Sequence, residues 1–442
     1  MVQVELLDVE FSGGGNRAVF FAGQEMTGRI VVVLKEEKKI NEILLELKGR
    51  ATTNWSKHSG KSRKHYSDSE PYFCEQFNTN YTAKFPKGQE KERIIPPGRH
   101  EIPFSYTLPR NLPSSFEGPY GFIRYTCAVT LERPWDFDVV CKRVFSVAGI
   151  EDLNQSPKAL DAIDVTNQTF TLRWCCRKQG AIRVDLSAPK TGYVSGEDIL
   201  VTARVKNESS RTMRYTSLRL KQIVHYRSKT FAGNEYEKRT EHEVAKLERG
   251  LIEPGAPYDW LGVPLTVPSL PPSLDRCKII DVEYKLEFEA DPGLVIQVPI
   301  ILGTIPLISN DHPKPAPNCS TNENDTLDKI EENESTPLLS NSEPSASTSA
   351  VKVTVTDEEG VVADDSPRKP AENLDNDQAT GSSINKHVRM PATVLKELYP
   401  NLPSPTFVES ACGVAADLSK AKIQAQFGDR TFKPQYPCYY KD

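Results

Sequence analysis

The sequence predicts an all-β protein: two tandem β-sandwiches followed by a disordered acidic tail. Three observations carry this. Short segments alternate apolar and polar residues, one long stretch of them recurs about 160 residues later, and the composition changes abruptly after Ile308. The organising stretch is 96–135. In its first half Ile102, Phe104, Tyr106 and Leu108 alternate with Glu101, Pro103, Ser105 and Thr107. In its second half Ile123, Tyr125, Cys127, Val129 and Leu131 alternate with Arg124, Thr126, Ala128, Thr130 and Glu132. A period of two sends one row of side chains into a core and the other towards water. Between the halves, LPRNLPSSFEGPYG is too rich in Pro and Gly for a helix or a strand ladder, which predicts an ordered crossing loop.

The stretch returns at 260–290. Pro109, Pro113 and Tyr125 have counterparts in Pro268, Pro272 and Tyr284, each 159 residues further on. Its strand alternates Val282, Tyr284, Leu286, Phe288 and Ala290 with Asp281, Glu283, Lys285, Glu287 and Glu289. Upstream, FAGQEMTGRIVVVL from Phe21 is matched by YVSGEDILVTARV from Tyr193. So long a period is that of a duplicated domain rather than a solenoid.

In chain order, 1–150 reads as the first sandwich. It opens on Val2, Val4 and Leu6, continues with 30–34 after the Gly28 turn and with Ile43, Leu45 and Leu47, and closes on VVCKRVFSVAGI. Residues 55–72 form a polar excursion, expected to be a mobile solvated hairpin whose Lys57, His58, Lys61, Arg63, Lys64 and His65 could meet acidic headgroups or phosphorylated tails. Residues 151–168 read as a polar hinge. Residues 169–308 repeat the scheme and end in LVIQVPIILGTIPL, a run suited to a central strand. Short strands, turn signals and no helix period point to sandwiches. From 309 to 442 the chain holds 21 Asp+Glu against 13 Lys+Arg and is rich in Ser, Thr, Asn and Pro, too polar for burial to offset chain entropy. Within it, Val351, Val353 and Val355 alternate and could add to an exposed sheet edge.

Composition narrows the function classes. Residues before 311 carry 42 Lys+Arg and 39 Asp+Glu, near neutral, which does not suit bulk nucleic-acid binding. The start, MVQVELLDVEF, lacks a signal-peptide layout, and no run reaches the ~18 apolar residues of a membrane span. Nine scattered cysteines, with only Cys175 and Cys176 adjacent, fit a reducing, intracellular setting. The seven histidines never stand at metal-ligand spacing, and GxSxG, CxxC and phosphate-cradling glycine loops are missing. The expectation is a protein that is not an enzyme and needs no cofactor.

Several of these stretches carry a resemblance. PGRHEIPFSYTLPRNLPSSFEGPYGFIRY, ERPW, the Gly-Glu of GYVSGEDILVTARVKNESS, VPSLPPSL and PIILGTIPL together resemble the α-arrestins, the arrestin-domain-containing proteins that include thioredoxin-interacting protein. The likeness covers roughly 1–308. It implies two immunoglobulin-like sandwiches, an arrestin N-domain and an arrestin C-domain. It also implies a trafficking adaptor that is cytoplasmic and recruited to plasma membrane and endosomes as a peripheral protein. The body would engage membrane receptors or transporters as cargo, and the tail would recruit WW-domain HECT ubiquitin ligases through PPxY motifs.

The tail offers matching short motifs. Glu334, Leu338 and Leu339 fit an acidic dileucine signal, in which two leucines fill an apolar pocket on a clathrin adaptor and the glutamate meets a basic rim. Pro403, Pro405 and Phe407 resemble the PPxY segment, with Ser404 in place of its first proline and Phe407 in place of tyrosine. Losing the phenol hydroxyl and that packing weakens a WW complex by about 1–2 kcal/mol. A second degenerate copy holds Pro434 and Tyr436. Tyr399 and Leu402 also fit a YxxΦ sorting signal. Thr336 and Ser366 precede prolines as proline-directed phosphosites, Thr336 inside the dileucine element, where a phosphate adds charge beside the leucines. The alternative function is a redox regulator that binds thioredoxin through a C-domain cysteine, for which Cys277 is the candidate, although a buried structural thiol is the plainer reading of it.

Overall fold

The computed structural model describes residues 4–12, 18–59, 62–81, 93–172, 178–308, 393–412 and 432–440. Strands dominate it. The first sandwich contains β1 (Val4–Phe11), β2 (Val19–Phe21), β3 (Glu25–Leu34), β4 (Lys38–Lys39), β5 (Ile43–Ser59), β6 (Ser62–Asn78), β7 (Ile94–Ile95), β8 (Gly98–Thr107), β9 (Phe116–Gly118), β10 (Gly121–Leu131) and β11 (Val139–Ala148). Two 3-10 turns, Leu153–Gln155 and Pro157–Leu160, lead to the second. It contains β12 (Ile163–Leu172), β13 (Lys178–Ala188), β14 (Gly192–Val194), β15 (Asp198–Asn207), β16 (Met213–Lys229), β17 (Glu235–Ile252), β18 (Pro257–Thr266), β19 (Ile280–Ala290) and β20 (Leu294–Gly303).

In the first sandwich the sheet β1-β3-β8 packs on the run β6-β5-β10-β11-β2. Rings join the two layers: Phe11 meets Phe145 at 5.7 Å between centroids, and Phe73 meets Tyr106 at 6.0 Å. Edge-to-face and offset pairs of this kind add to area burial. Gly49 is required here, because a Cβ would stand 2.7 Å from both the Phe73 and Tyr125 rings. In the second sandwich β12-β13-β15-β18 packs on the run β14-β20-β19-β16, with β17 beside β16. Trp260, fully buried, stands edge-on to Phe288 at 5.7 Å and donates its indole N–H to Thr216.

The predicted inward rows are the core. Ile102, Phe104, Tyr106 and Leu108 are buried, as are Ile123 to Leu131 on one face of β10 and Val282 to Ala290 on β19. The duplication is repeated in the hydrogen bonds. Tyr125 donates its hydroxyl to Pro113 O (2.6 Å) and Tyr284 to Pro271 O (2.7 Å). Ser115 exchanges bonds with the Val147 backbone, and Ser273 does so with Leu302. Gln24 accepts from Phe21 N where Glu197 accepts from Val194 N. Each copy also ends on a parallel pair, β2 with β11 and β14 with β20. The sequence aligned Pro113 with Pro272, whereas the carbonyls used belong to Pro113 and Pro271, a one-residue slip that the proline-rich loop absorbs.

Three details differ from expectation. β12 begins at Ile163, inside the expected hinge; its middle, Thr166–Gln168, is polar because it forms an exposed edge paired only with β13. The excursion at 55–72 is the outer half of the long β5–β6 hairpin, ordered because Trp55 stacks on Tyr66 (5.6 Å) and Tyr66 meets Tyr236 of β17 (4.9 Å). Lys57, His58, Arg63, Lys64 and His65 project from it into solvent, and Lys61 lies outside the described residues. Finally, the polar row of β10 is covered too, with Arg124 and Thr126 both buried.

The sandwiches meet over a broad contact. β6 and β16 share one register pair, Ser67 with Lys229, which makes a single path β14-β20-β19-β16-β6-β5-β10-β11-β2 across both. Thr53 donates to Arg227 O, Lys278 N donates to Glu70, and the Lys238 ammonium lies 3.5 Å over the Tyr120 ring. At the connection, Arg276 donates to Ile150 O and Glu151, while Thr304 bonds Gly149 and Glu151.

Candidate interaction site at the domain junction

Two stretches of the segment expected to be a tail are built onto this junction. Residues 393–398 form α1 (Thr393–Leu398), a short helix that stops before Pro400, since the residue preceding a proline is held out of helical geometry. β21 (Thr406–Glu409) and β22 (Gln435–Cys438) then pair antiparallel, Phe407 opposite Pro437 and Val408 opposite Tyr436. Pro437 lacks an N–H and is tolerated because this ladder is two strands wide.

The groove they fill is made by both copies of the repeat. Val19, Phe21, Ala148 and Ile305 form one buried cluster with Leu395 and Phe407, flanked by Tyr399 and Leu402. Phe407 meets Phe21 at 5.7 Å between ring centroids. Four serines line the polar seam. On the first sandwich, Ser146 Oγ accepts from Gln435 N (3.1 Å) and Ser115 O accepts from the Tyr436 hydroxyl (2.9 Å). On the second, Ser269 O accepts from Ala411 N (2.8 Å), Ser269 Oγ donates to Val408 O (2.9 Å), and Ser195 O accepts from Tyr439 N (2.8 Å). The Tyr439 hydroxyl reaches Thr304 O, and that of Tyr399 reaches Asp152 in the connection. Gly196, at φ +87°, lets the chain approach: a Cβ there would stand 3.0 Å from the Tyr439 backbone. The C-terminal segment is thus a strap bonded to both sandwiches.

Under the strap lies a buried ion pair. Arg124 on β10 holds Glu117 on β9 through two parallel bonds, Nε to Oε1 at 2.5 Å and Nη2 to Oε2 at 3.0 Å, with both side chains essentially unexposed. Its guanidinium faces the Phe122 ring at 4.7 Å and the Phe432 ring of the strap at 6.0 Å. Burial pushes the Glu117 carboxyl up to about 7, against the opposing pull of Arg124. Burial likewise pushes the Tyr436 hydroxyl far above its ordinary range, and burial plus the Asp152 carboxylate push Tyr399 up to about 12. These hydroxyls stay protonated donors.

The structure gathers seven of the motif residues here. Phe407 and Tyr436 are buried, at 9% and 1% exposure, with Pro405 and Pro434 buried beside them. Tyr399 and Leu402 are half-buried, and Pro403 is exposed. Glu334, Thr336, Leu338, Leu339 and Ser366, and the alternation at Val351, Val353 and Val355, lie outside the described residues. Cys277 is buried (2%) beside Glu70, and burial pushes its thiol up to about 11, so little thiolate is present near neutrality. Among the described residues, no group of three or more His, Cys, Asp or Glu is placed to hold a metal ion, and no helix is long and apolar enough to cross a membrane. The serine seam escaped the sequence reading because its members lie far apart in the chain. A signal for the strap was present: after residue 391 the low-complexity composition gives way to VLKEL, TFVE and the aromatic-rich TFKPQYPCYY.

Comparison with known proteins places both copies. Residues 7–154 match the family model of the arrestin (or S-antigen) N-terminal domain, and 178–307 match that of its C-terminal domain. "Arrestin domain-containing protein 17" of Caenorhabditis elegans is 45% identical over 442 residues, covering 99% of this chain and all of that protein. "Arrestin domain-containing protein 4" of Homo sapiens is 28% identical over 297 residues, 66% of this chain and 69% of that one. "Arrestin domain-containing protein 1" of Rattus norvegicus is 26% identical over 308 residues, 69% and 65% respectively. The last two matches span about the length of the two sandwiches; the first extends through the strap.

Proposed function

The chain belongs to the arrestin-domain-containing family, and from that premise we propose that it is a non-catalytic adaptor in membrane-protein trafficking, linking cargo to endocytic sorting and ubiquitin-ligase machinery. The observation that carries this reading is the pairing of two arrestin domains with a C-terminal region that holds Pro–aromatic and sorting motifs. The broad β-sheet surfaces suit a receptor or transporter tail as cargo, and binding to cargo brings a peripheral protein to plasma membrane and endosomes. The dileucine Glu334, Leu338 and Leu339 would take a clathrin adaptor, with Thr336 as the site where a phosphate tunes it and Ser366 as a separate proline-directed phosphosite. Pro403, Pro405 and Phe407, and Pro434 and Tyr436, would take WW-domain HECT ligases.

Affinity capture of the full chain with quantitative mass spectrometry tests this. Leu338→Ala with Leu339→Ala is expected to lose clathrin adaptors while keeping ligases. Disabling both Pro–aromatic motifs together, Pro405→Ala and Phe407→Ala with Pro434→Ala and Tyr436→Ala, is expected to do the reverse, and Cys277→Ser to change neither. Capture of thioredoxin that vanishes in Cys277→Ser would replace this reading with the redox one.

A further inference from the structure

The side chains that would recruit a ligase are the ones that seat the strap. A WW domain takes the aromatic ring of its ligand into a slot and lays the neighbouring proline in an aromatic groove, with the ligand backbone in an open polyproline conformation that has no internal hydrogen bonds. In this protein the ring of Phe407 fills the Val19, Phe21, Ala148 and Ile305 cluster, and the Tyr436 hydroxyl is spent on Ser115. Both motifs are also strands of one ladder, so Phe407 and Val408 cannot turn to polyproline geometry without parting from Pro437 and Tyr436. One ring cannot occupy two pockets, and one backbone cannot hold both conformations.

We infer that seating of the strap and capture of either Pro–aromatic motif by a WW domain exclude one another, so that the body keeps its own ligase-recruiting motifs shut until the strap lifts. This rests on the ligase reading above and adds its regulation. Because the two motifs share one hairpin, they are released together. Because the strap bonds Ser115 and Ser146 on one sandwich and Ser195 and Ser269 on the other, its release also unties the two sandwiches at this edge. The cost of lifting appears as weakened apparent affinity, in proportion to the small fraction of molecules with the strap open.

The experiment compares an isolated WW domain, titrated by fluorescence anisotropy, against the full chain and against a synthetic peptide of residues 398–440. The peptide is expected to bind at least about tenfold more tightly, about 1.4 kcal/mol. Leu395→Ala and Tyr439→Ala in the full chain, both outside the motifs, are expected to recover most of that difference. Circular dichroism and the thermal transition check that the body of each variant is folded. Hydrogen exchange gives an independent reading: the ladder amides of 406–409 and of Gln435, Tyr436 and Cys438 are expected to be protected in the free chain and to exchange freely in the complex. Equal affinity of full chain and peptide overturns the inference and leaves the ligase reading intact. A peptide with no affinity overturns both. Persistent protection of those amides in a saturated complex overturns the exclusion directly.

Discussion

Tyr125 and Tyr284 show what a duplicated side chain does. Each rises from the inner face of a central strand and ties the proline-rich loop of its own copy by a carbonyl. Phenylalanine in their place keeps the ring and leaves a buried carbonyl short of a donor, a loss of about 1–3 kcal/mol. Tyr284 also accepts from Gln222 Nε2, so its hydroxyl satisfies two partners rather than one. Tyr284→Phe is therefore expected to cost more than Tyr125→Phe, both being read as a lower urea midpoint with an unchanged slope. The alternation of apolar residues made these two tyrosines visible in the sequence as core positions. It could not show which carbonyl each one reaches, because a loop of prolines and serines has no period from which register can be read.

β10 illustrates how far periodicity goes at the level of an element. Its inner row of Ile123, Tyr125, Cys127, Val129 and Leu131 is buried as alternation requires, yet the outer row holds an arginine that is buried as well. Arg124 is kept by Glu117, from a three-residue strand that the sequence placed within a crossing loop. A guanidinium on a polar row reads as solvent-facing unless its distant partner and its cover are known, and here the cover includes Phe432. Glu117→Leu leaves that charge buried without its carboxylate, at a cost of about 3–5 kcal/mol. Adding Arg124→Met to Glu117→Leu is expected to recover most of the loss, since a buried pair is often replaceable by apolar side chains of similar volume. Thermal unfolding of the single and double variants checks this. The seat of the strap was illegible for a related reason: the change of composition after residue 391 marks its stretches, but its four-residue strands are held by Ser115, Ser146, Ser195 and Ser269, whose placement no local pattern announces.

On the scale of the whole molecule, the connection between sandwiches carries a titrating contact. Glu151 is raised to about 7 chiefly by burial, with Arg276 of the second sandwich pulling the other way. Its folded value exceeds its ordinary value of 4.5, so the folded chain holds this proton more tightly than the unfolded chain does. The stability that it contributes is complete below about pH 4.5 and is lost as pH rises through about 7. Urea midpoints taken across that window are expected to fall with pH, and Glu151→Gln to flatten the fall.

The long sheet that runs through both halves crosses between them on a single rung, Ser67 beside Lys229, while ladders such as β16 with β19 are continuous. Pulled along its length, such a sheet parts at its narrowest join. A chain tethered at both ends under load should part between the halves only when that rung, the Thr53, Lys278 and Arg276 bonds and the strap give way together.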